Sequence, residues 1–234
     1  MREAKLHARL VYTERMRKVP FVKGEFYHLY CRGVDKRTVF TTPYEYKRFL
    51  AYLYMLNSTK DMRPSDFFRT HETQEVFDIE RGKCLVALGA FCLMPNHFHL
   101  YATPLAGGGI SKFMQRLQTA YTKYFNEKHK RTGALFGSTF RSEHMETDRQ
   151  AKYLFSYIHL NPAKLTDPGW KNKDSRDWKK LCTAVEQYPY SSYREYKTKQ
   201  PLITNPTPFP QYFSNKKDLA EHVEDWLRHR PAGS

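Results

Sequence analysis

Three things are scarce in this chain. Acidic residues number 24 against 39 Lys and Arg, leaving a net charge of +15 at pH 7 with histidine neutral. Cysteine is limited to Cys31, Cys84, Cys92 and Cys182, none of them in a Cys-x-x-Cys pair. The N-terminal MREAKLHARLVYTERMRK carries charges where a signal peptide would need an apolar run, so a reducing, cytoplasmic compartment is expected. No stretch approaches the ~18 uncharged apolar residues of a membrane span, which excludes that class. Repeats and low-complexity blocks are absent as well.

What is abundant is positive charge together with aromatic rings, 17 Tyr and 16 Phe. That pairing suits a polyanion that also offers faces to stack on, as single-stranded nucleic acid does. A generic basic surface would give the same net charge, so charge alone does not decide. At 234 residues the chain can form one main domain with extensions.

Hydrophobic periodicity orders the elements. GEFYHLYCRGV (24–34) alternates as a strand. TPYEYKRFLAYLYML (42–56) spaces Tyr46, Phe49, Leu50, Leu53 and Leu56 as one helix face, with Thr41 or Thr42 as N-cap and Pro43 in the first turn. Residues 57–75 are polar, broken by Pro64, and read as an elaborated loop. CLVALGAFCLM (84–94) and FHLYATP (98–104) are strands joined across Pro95-Asn96. Gly107-Gly108-Gly109 opens a long helix in which Ile110, Phe113, Met114, Leu117, Tyr121, Tyr124 and Phe125 keep helical spacing. ALFGSTFRSEHME (134–146) is a strand candidate, and DRQAKYLFSYIHL (148–160) a helix capped by Asp148 and ended by Pro162. Strand, helix, strand, strand, helix, strand, helix is an α+β order. It predicts a ferredoxin/RRM-like antiparallel sheet with helices on one side. Beyond Leu165 a proline-punctuated tail ends in KKDLAEHVEDWLRHR, where Leu219, Val223, Trp226 and Leu227 share a helix face, giving a C-terminal helical extension.

Within LMPNHFHLYATP (93–104), His97 and His99 stand on the same strand face and Phe98 on the other. Two such imidazoles can close on one metal ion if a third ligand joins them, or form an ordinary hydrogen-bonded pair. The spacing alone leaves both open.

CLMPNHFHL followed at a distance by YIHLNPAK resembles the single-tyrosine HUH transposases, in particular the REP-associated tyrosine transposases (the IS200-like group). YHLYCRGVDKRTVF, YTKYFNEKHKRTGALF and YPYSSYREY (188–196) fall in the matching order, and the resemblance spans roughly Val22 to Leu165. It implies an enzyme: a metal-dependent DNA transposase and endonuclease that cuts and rejoins hairpin-forming single-stranded DNA at REP-type palindromes through a 5′-phosphotyrosine. His97 and His99 match the pair that binds Mg2+ or Mn2+, Tyr157 the nucleophile, and Asn161 the polar residue completing the metal site. Residues i and i+4 share a helix face, so Tyr157 and Asn161 can point together toward the histidines. Tyr157 falls at the border of the Leu154, Phe155 and Ile158 stripe, where a hydroxyl can reach substrate. Tyr121 and Tyr124 read as core; Tyr153, one turn before Tyr157, is the closest rival. The motif supplies no base for the phenol.

The family's Gln-Gly-Arg type turn is replaced by LFGSTFRSEH, with Arg141 the candidate for the missing cation. Candidates for phosphate contact are Arg2, Lys5, Arg9, Arg15, Arg17 and Lys18 of the basic arm and Lys112, Arg116 and Lys123 of the long helix. The expected division is an arm at 1–20, a catalytic domain at 21–165 and an extension at 166–234. A monomer is favoured over a homodimer. The rival expectations are a domesticated, non-cleaving binder of structured single-stranded DNA or RNA, and a metal-dependent nuclease that uses water.

Overall fold

The computed structural model describes residues 20–170, 177–212 and 216–228, so the arm and its six candidate cations lie outside the described residues. Four strands, β1 (Tyr27–Arg32), β2 (Val86–Met94), β3 (His97–Pro104) and β4 (Arg141–His144), pair in the order β2-β3-β1-β4. Every pairing is antiparallel. The helices are α1 (Pro43–Met55), α2 (Gly109–Lys128), α3 (Asp148–Leu160), α4 (Trp178–Gln187), α5 (Tyr193–Thr198) and α6 (Lys216–Arg228). This is the ferredoxin-like arrangement with its C-terminal helical extension. Among the described residues no helix is long and apolar enough to cross a membrane.

Alternation assigns the faces. Leu29 and Cys31 of β1 and Phe98, Leu100 and Ala102 of β3 turn toward α1 and α2, packing on Phe49, Leu53, Phe113, Leu117 and Tyr121. The two crossover helices thus share one side, as the pattern predicts. On the other side Ala90, Cys92, Met94 and Tyr101 meet Leu154, Phe155 and Ile158 of α3, together with Leu181, Val185, Tyr193, Leu219, Val223 and Leu227 of the extension. Strand β2 is therefore buried along its whole length, which explains its unbroken apolar text. A bulge between Leu88 and Ala90 shifts the alternation by one residue, so that Val86 and Leu88 before it and Phe91 and Leu93 after it face the same layer. At Gly89, the inserted residue, a Cβ would come within 2.9 Å of Phe209 and Tyr101.

One expectation about caps is corrected and another is met by position alone. Thr147, not Asp148, caps α3: its hydroxyl accepts from the Gln150 N–H and the Gln150 side chain returns the bond, a capping box. Asp148 is one residue inside, where its charge still complements the helix N-terminus. For α1, Thr42 is the N-cap residue but its side chain makes no cap bond. The work passes to Glu45, which accepts from the Thr41 N–H at 2.6 Å and the Thr41 hydroxyl at 2.8 Å. Lys128 (2.8 Å) and His129 (2.7 Å) close on the other oxygen. The strand expected across 134–146 is confined to Arg141–His144. The insertion folds into helical turns at Pro64–Phe67 and Gln74–Asp78 over a small cluster of Ala51, Met55 and Val76.

The extension also covers the free edge of β2. Leu93 N–H donates to Tyr190 O (2.9 Å), and Ser192 N–H to Phe91 O (3.0 Å). An edge that could pair with a second copy is thereby occupied by the chain itself.

Burial alone would raise the Glu45 carboxyl, but Lys128, Thr41 and His129 more than offset it and hold it at about 2. Its contribution is therefore present above the ordinary value of 4.5 and lost as pH falls toward about 2. Glu45→Ala should lower the unfolding free energy by roughly 3 kcal/mol, the low end for removing one partner of a buried pair. Urea unfolding at neutral pH measures this, and a variant as stable as the wild type would remove Glu45 from the account of the fold.

Candidate functional site

Three central elements bring their polar residues to one face of the sheet. In the β1–β3 register Tyr30 lies opposite His99 and Arg32 opposite His97, while in the β1–β4 register His28 lies opposite Glu143 and Tyr30 opposite Arg141. Because strand side chains alternate, His28, Tyr30, Arg32, His97 and His99 emerge together on the side that α3 crosses. They line a cleft of about 1190 Å3 with Arg141, Glu143, Arg149, Tyr153, Tyr157 and Lys164.

The histidines are wired by their neighbours. His97 Nδ1 is 2.6 Å from Asn96 Oδ1, and Asn96 is itself fixed by donating its amide to Lys36 O at 3.1 Å. Asn96 Oδ1 can only accept, so His97 carries its proton on Nδ1 and presents a lone pair at Nε2. Glu143 Oε2 lies 3.6 Å from His28 Nδ1 and favours the proton there. His28 Nε2 then accepts from His99 Nδ1 at 2.8 Å, leaving His99 Nε2 unprotonated. His99 is only 6 % exposed, and its Nε2 is buried without a hydrogen-bond partner. A buried imidazole nitrogen without a partner, on a residue that lines a polar cleft, is chemically able to accept a ligand bond.

Burial and charge keep both rings neutral. Burial, then the cations Arg32 and Lys164, pushes His97 down to about 4. Burial, followed by His28, His97, Lys164 and Arg32, pushes His99 well below 6.5. Both are neutral at neutral pH, the form that binds a metal.

Tyr157 projects from α3 at the edge of the buried stripe, as its spacing predicts. Its ring meets His99 edge to face, centroids 5.5 Å apart at 78°, and His28 at 6.5 Å. Lys164, in the helical turn Ala163–Thr166 beyond Pro162, donates to the Tyr157 hydroxyl at 3.2 Å and to Asn161 Oδ1 at 3.0 Å. Asn161 is fully buried and is not among the residues lining the cleft; its amide donates to Tyr157 O at 2.9 Å. The carboxamide thus closes the end of α3 and anchors Lys164. Among the described residues no group of three or more His, Cys, Asp or Glu side chains is arranged to hold a metal. The donor set facing the cleft is the His97 and His99 pair, which fits a divalent ion only if Asn161, water or a phosphate oxygen completes it.

The cation candidates divide. Arg141 lines the cleft. Lys112 and Lys123 are exposed on α2, across the sheet from it. Arg116 is committed to the insertion, donating to Ser58 O (2.9 Å) and Lys60 O (3.1 Å) and pairing with Asp61 at 3.3 Å. The helix face that reads as a phosphate track therefore lies across the sheet from the cleft, because α2 buries its apolar stripe against the opposite face. Sequence reasoning missed Arg32, Arg149 and Lys164 as the other cleft cations, and His28, Tyr30 and Glu143 as neighbours of the histidines. Alternation in YHLYCR held the signal for β1; only the pairing register could say which face it joined. His159 is fully buried and bonded to Ser192 Oγ at 2.7 Å, and it does not line the cleft.

With this geometry in place, the comparisons can be set beside it. The model of the family "Transposase IS200 like" matches residues 65–161, a span that contains His97, His99, Tyr157 and Asn161. No curated protein matches the chain. A solved structure of a REP-associated tyrosine transposase bound to a REP hairpin aligns at 14 % identity with a TM-score of 0.47, covering 83 % of this chain and 90 % of that one. Residues 65–161 are thus distantly related to the IS200-like transposases.

Because an unfolded histidine takes up its proton near 6.5 and native His97 only near 4, the unfolded chain binds more protons between those values. Stability should accordingly fall as pH drops from 6.5 toward 4. Histidine NMR on the metal-free protein should place the His97 midpoint near 4, and a midpoint near 6.5 would mean that burial does not govern this site.

Proposed function

We propose that this protein is a tyrosine DNA strand transferase acting on hairpin-forming single-stranded DNA, with Tyr157 as nucleophile and His97 and His99 as metal ligands. The observation that carries this reading is the seating of the Tyr157 ring against His99 within one chain, where His99 Nε2 is buried and unpartnered.

The chemistry follows from the groups present. A phosphodiester entering the cleft meets Arg32, Arg141, Arg149 and Lys164, whose charge draws the strand in and whose hold weakens with salt. Tyr157 Oη forms a bond to phosphorus as the bond to the 3′ oxygen breaks; the phenol proton is released and the 3′ oxygen leaves as a hydroxyl. One ester replaces another, so the free 3′-hydroxyl can attack the phosphotyrosine and rejoin DNA without ATP. Lys164 holds the phenol oxygen at 3.2 Å and supplies positive charge beside it. A divalent ion, Mg2+ or Mn2+, held by His97 and His99 with water or a phosphate oxygen completing the set, would polarise the non-bridging phosphate oxygen, while Asn161 would act through Lys164. Glu143 and His28 keep the His99 lone pair directed at that position.

A labelled hairpin with single-stranded flanks from the protein's own genomic neighbourhood, incubated with Mn2+ and run on a denaturing gel, should give a protein–DNA adduct. Tyr157→Phe and His97→Ala should both abolish it. Strong hairpin binding without adduct or cleavage in Mg2+ and Mn2+ would sink the enzyme and leave a binder. Cleavage that survives Tyr157→Phe would point to a water-using nuclease.

Lys164→Met should slow adduct formation at saturating DNA by about 100–1000-fold, the range for losing one hydrogen-bonding group that stabilises charge at a reacting centre. Lys164→Arg should recover much of that rate, while hairpin affinity changes far less in either variant. Single-turnover rates and equilibrium binding separate the two effects; equal loss in both would make Lys164 a DNA-holding residue only.

A further inference from the structure

Tyr153, one helical turn before the nucleophile, has no part in the chemistry above. It is a large ring left 39 % exposed, and of the exposed large hydrophobic residues among those described it alone lines the cleft. Its ring lies parallel to that of Tyr157, centroids 6.3 Å apart at 6°. From the other direction Trp226 of α6 closes on it at 5.2 Å and 56°. Helix α6 is pinned to α3 by Leu219, Val223 and Leu227 in the core and by a 2.8 Å contact between His222 and Ser156. The extension thus braces a flat ring at the mouth of the cleft, one turn of α3 (~6 Å of rise) from the Tyr157 position. An exposed aromatic ring is costly in water and is held here in a fixed plane beside four cations.

From this juxtaposition we infer that Tyr153, supported by Trp226, is a stacking platform for an unpaired nucleobase next to the scissile phosphate. The inference rests on the function proposed above and names the part of the substrate that this rim recognises. The cleft cations take phosphates, which carry no sequence information, whereas a ring face takes a base. Stacking requires a nucleotide free of its partner strand, so the platform selects the single-stranded flank over the hairpin stem. Tyr153 is a positioning residue: it fixes where along the strand the phosphorus meets Tyr157.

The test is equilibrium binding of the full-length protein, in EDTA, to a labelled hairpin with a short single-stranded flank and to the same hairpin with abasic flank positions. Tyr153→Leu should weaken binding to the intact flank about tenfold. Abasic substitution should cost the wild type a similar factor, and the two changes together should cost no more than either alone. Tyr153→Phe, which keeps the ring, should bind like the wild type. An equal loss for Tyr153→Leu on intact and abasic flanks would overturn the platform, as would no loss at all. A covalent adduct that survives Tyr157→Phe and disappears with Tyr153→Phe would also overturn it, by making Tyr153 a nucleophile. If the wild type binds no hairpin, the proposed function falls first and the platform with it.

Discussion

The antiparallel pairing of Tyr27–Arg32 with His97–Pro104 at the centre of the sheet is the constraint on which the site depends. It sets Tyr30 across from His99 and Arg32 across from His97. Strand side chains repeat every second residue, so a slip of one position would turn both imidazoles into the apolar layer under α1 and α2. The same pairing puts His28 within 2.8 Å of His99 and so fixes which nitrogen of His99 remains open. Slippage is resisted on the other face by Leu29, Phe98 and Leu100, each fully buried. The apolar layer therefore holds the polar one in register.

The second requirement is that α3 be pressed onto the polar face, and here the C-terminal extension acts as half of a core. Leu154, Phe155 and Ile158 of α3 share one cluster with residues from α4, α5 and α6. Burying each such side chain is worth about 1.5–3 kcal/mol, and without the extension part of that apolar surface would face water. The segment around Ser191 also takes the free edge of β2. Tyr157 reaches His99 within one chain.

Electrostatics in the cleft is divided by burial. The deep imidazoles are kept neutral, while the guanidinium groups of Arg32, Arg141 and Arg149 stay at the solvent side. Neutral donors inside and cations at the mouth suit a polyanion that must approach and then meet a nucleophile. Lys164 bridges the two zones by touching both the phenol oxygen and the Asn161 carboxamide.

Much of this was legible in the amino-acid text because it depends on local periodicity. Period two in HFHLYATP put both histidines on one face, and the 3.6-residue stripe of DRQAKYLFSYIHL put Tyr157 at its border; α3 begins and ends where that pattern does. The motif order announced the distant transposase relationship. The cap of α3 was misread by one residue, since Thr and Asp side by side both satisfy the local rule and only the reciprocal bond from Gln150 distinguishes them. The basic face of α2 was misread for a different reason: a stripe of lysines says that a helix has a solvated side but not which side of the sheet the helix covers. By itself, then, the sequence determined the elements, the order that makes a ferredoxin-like sheet and the facing of His97, His99 and Tyr157. Only the tertiary structure decided that His28 and Glu143 join them, that Lys164 stands against the phenol, that Asn161 is turned inward and that the extension braces Tyr153. These are contacts between residues far apart in the chain, and they are set by strand register and layer packing, which no local pattern encodes.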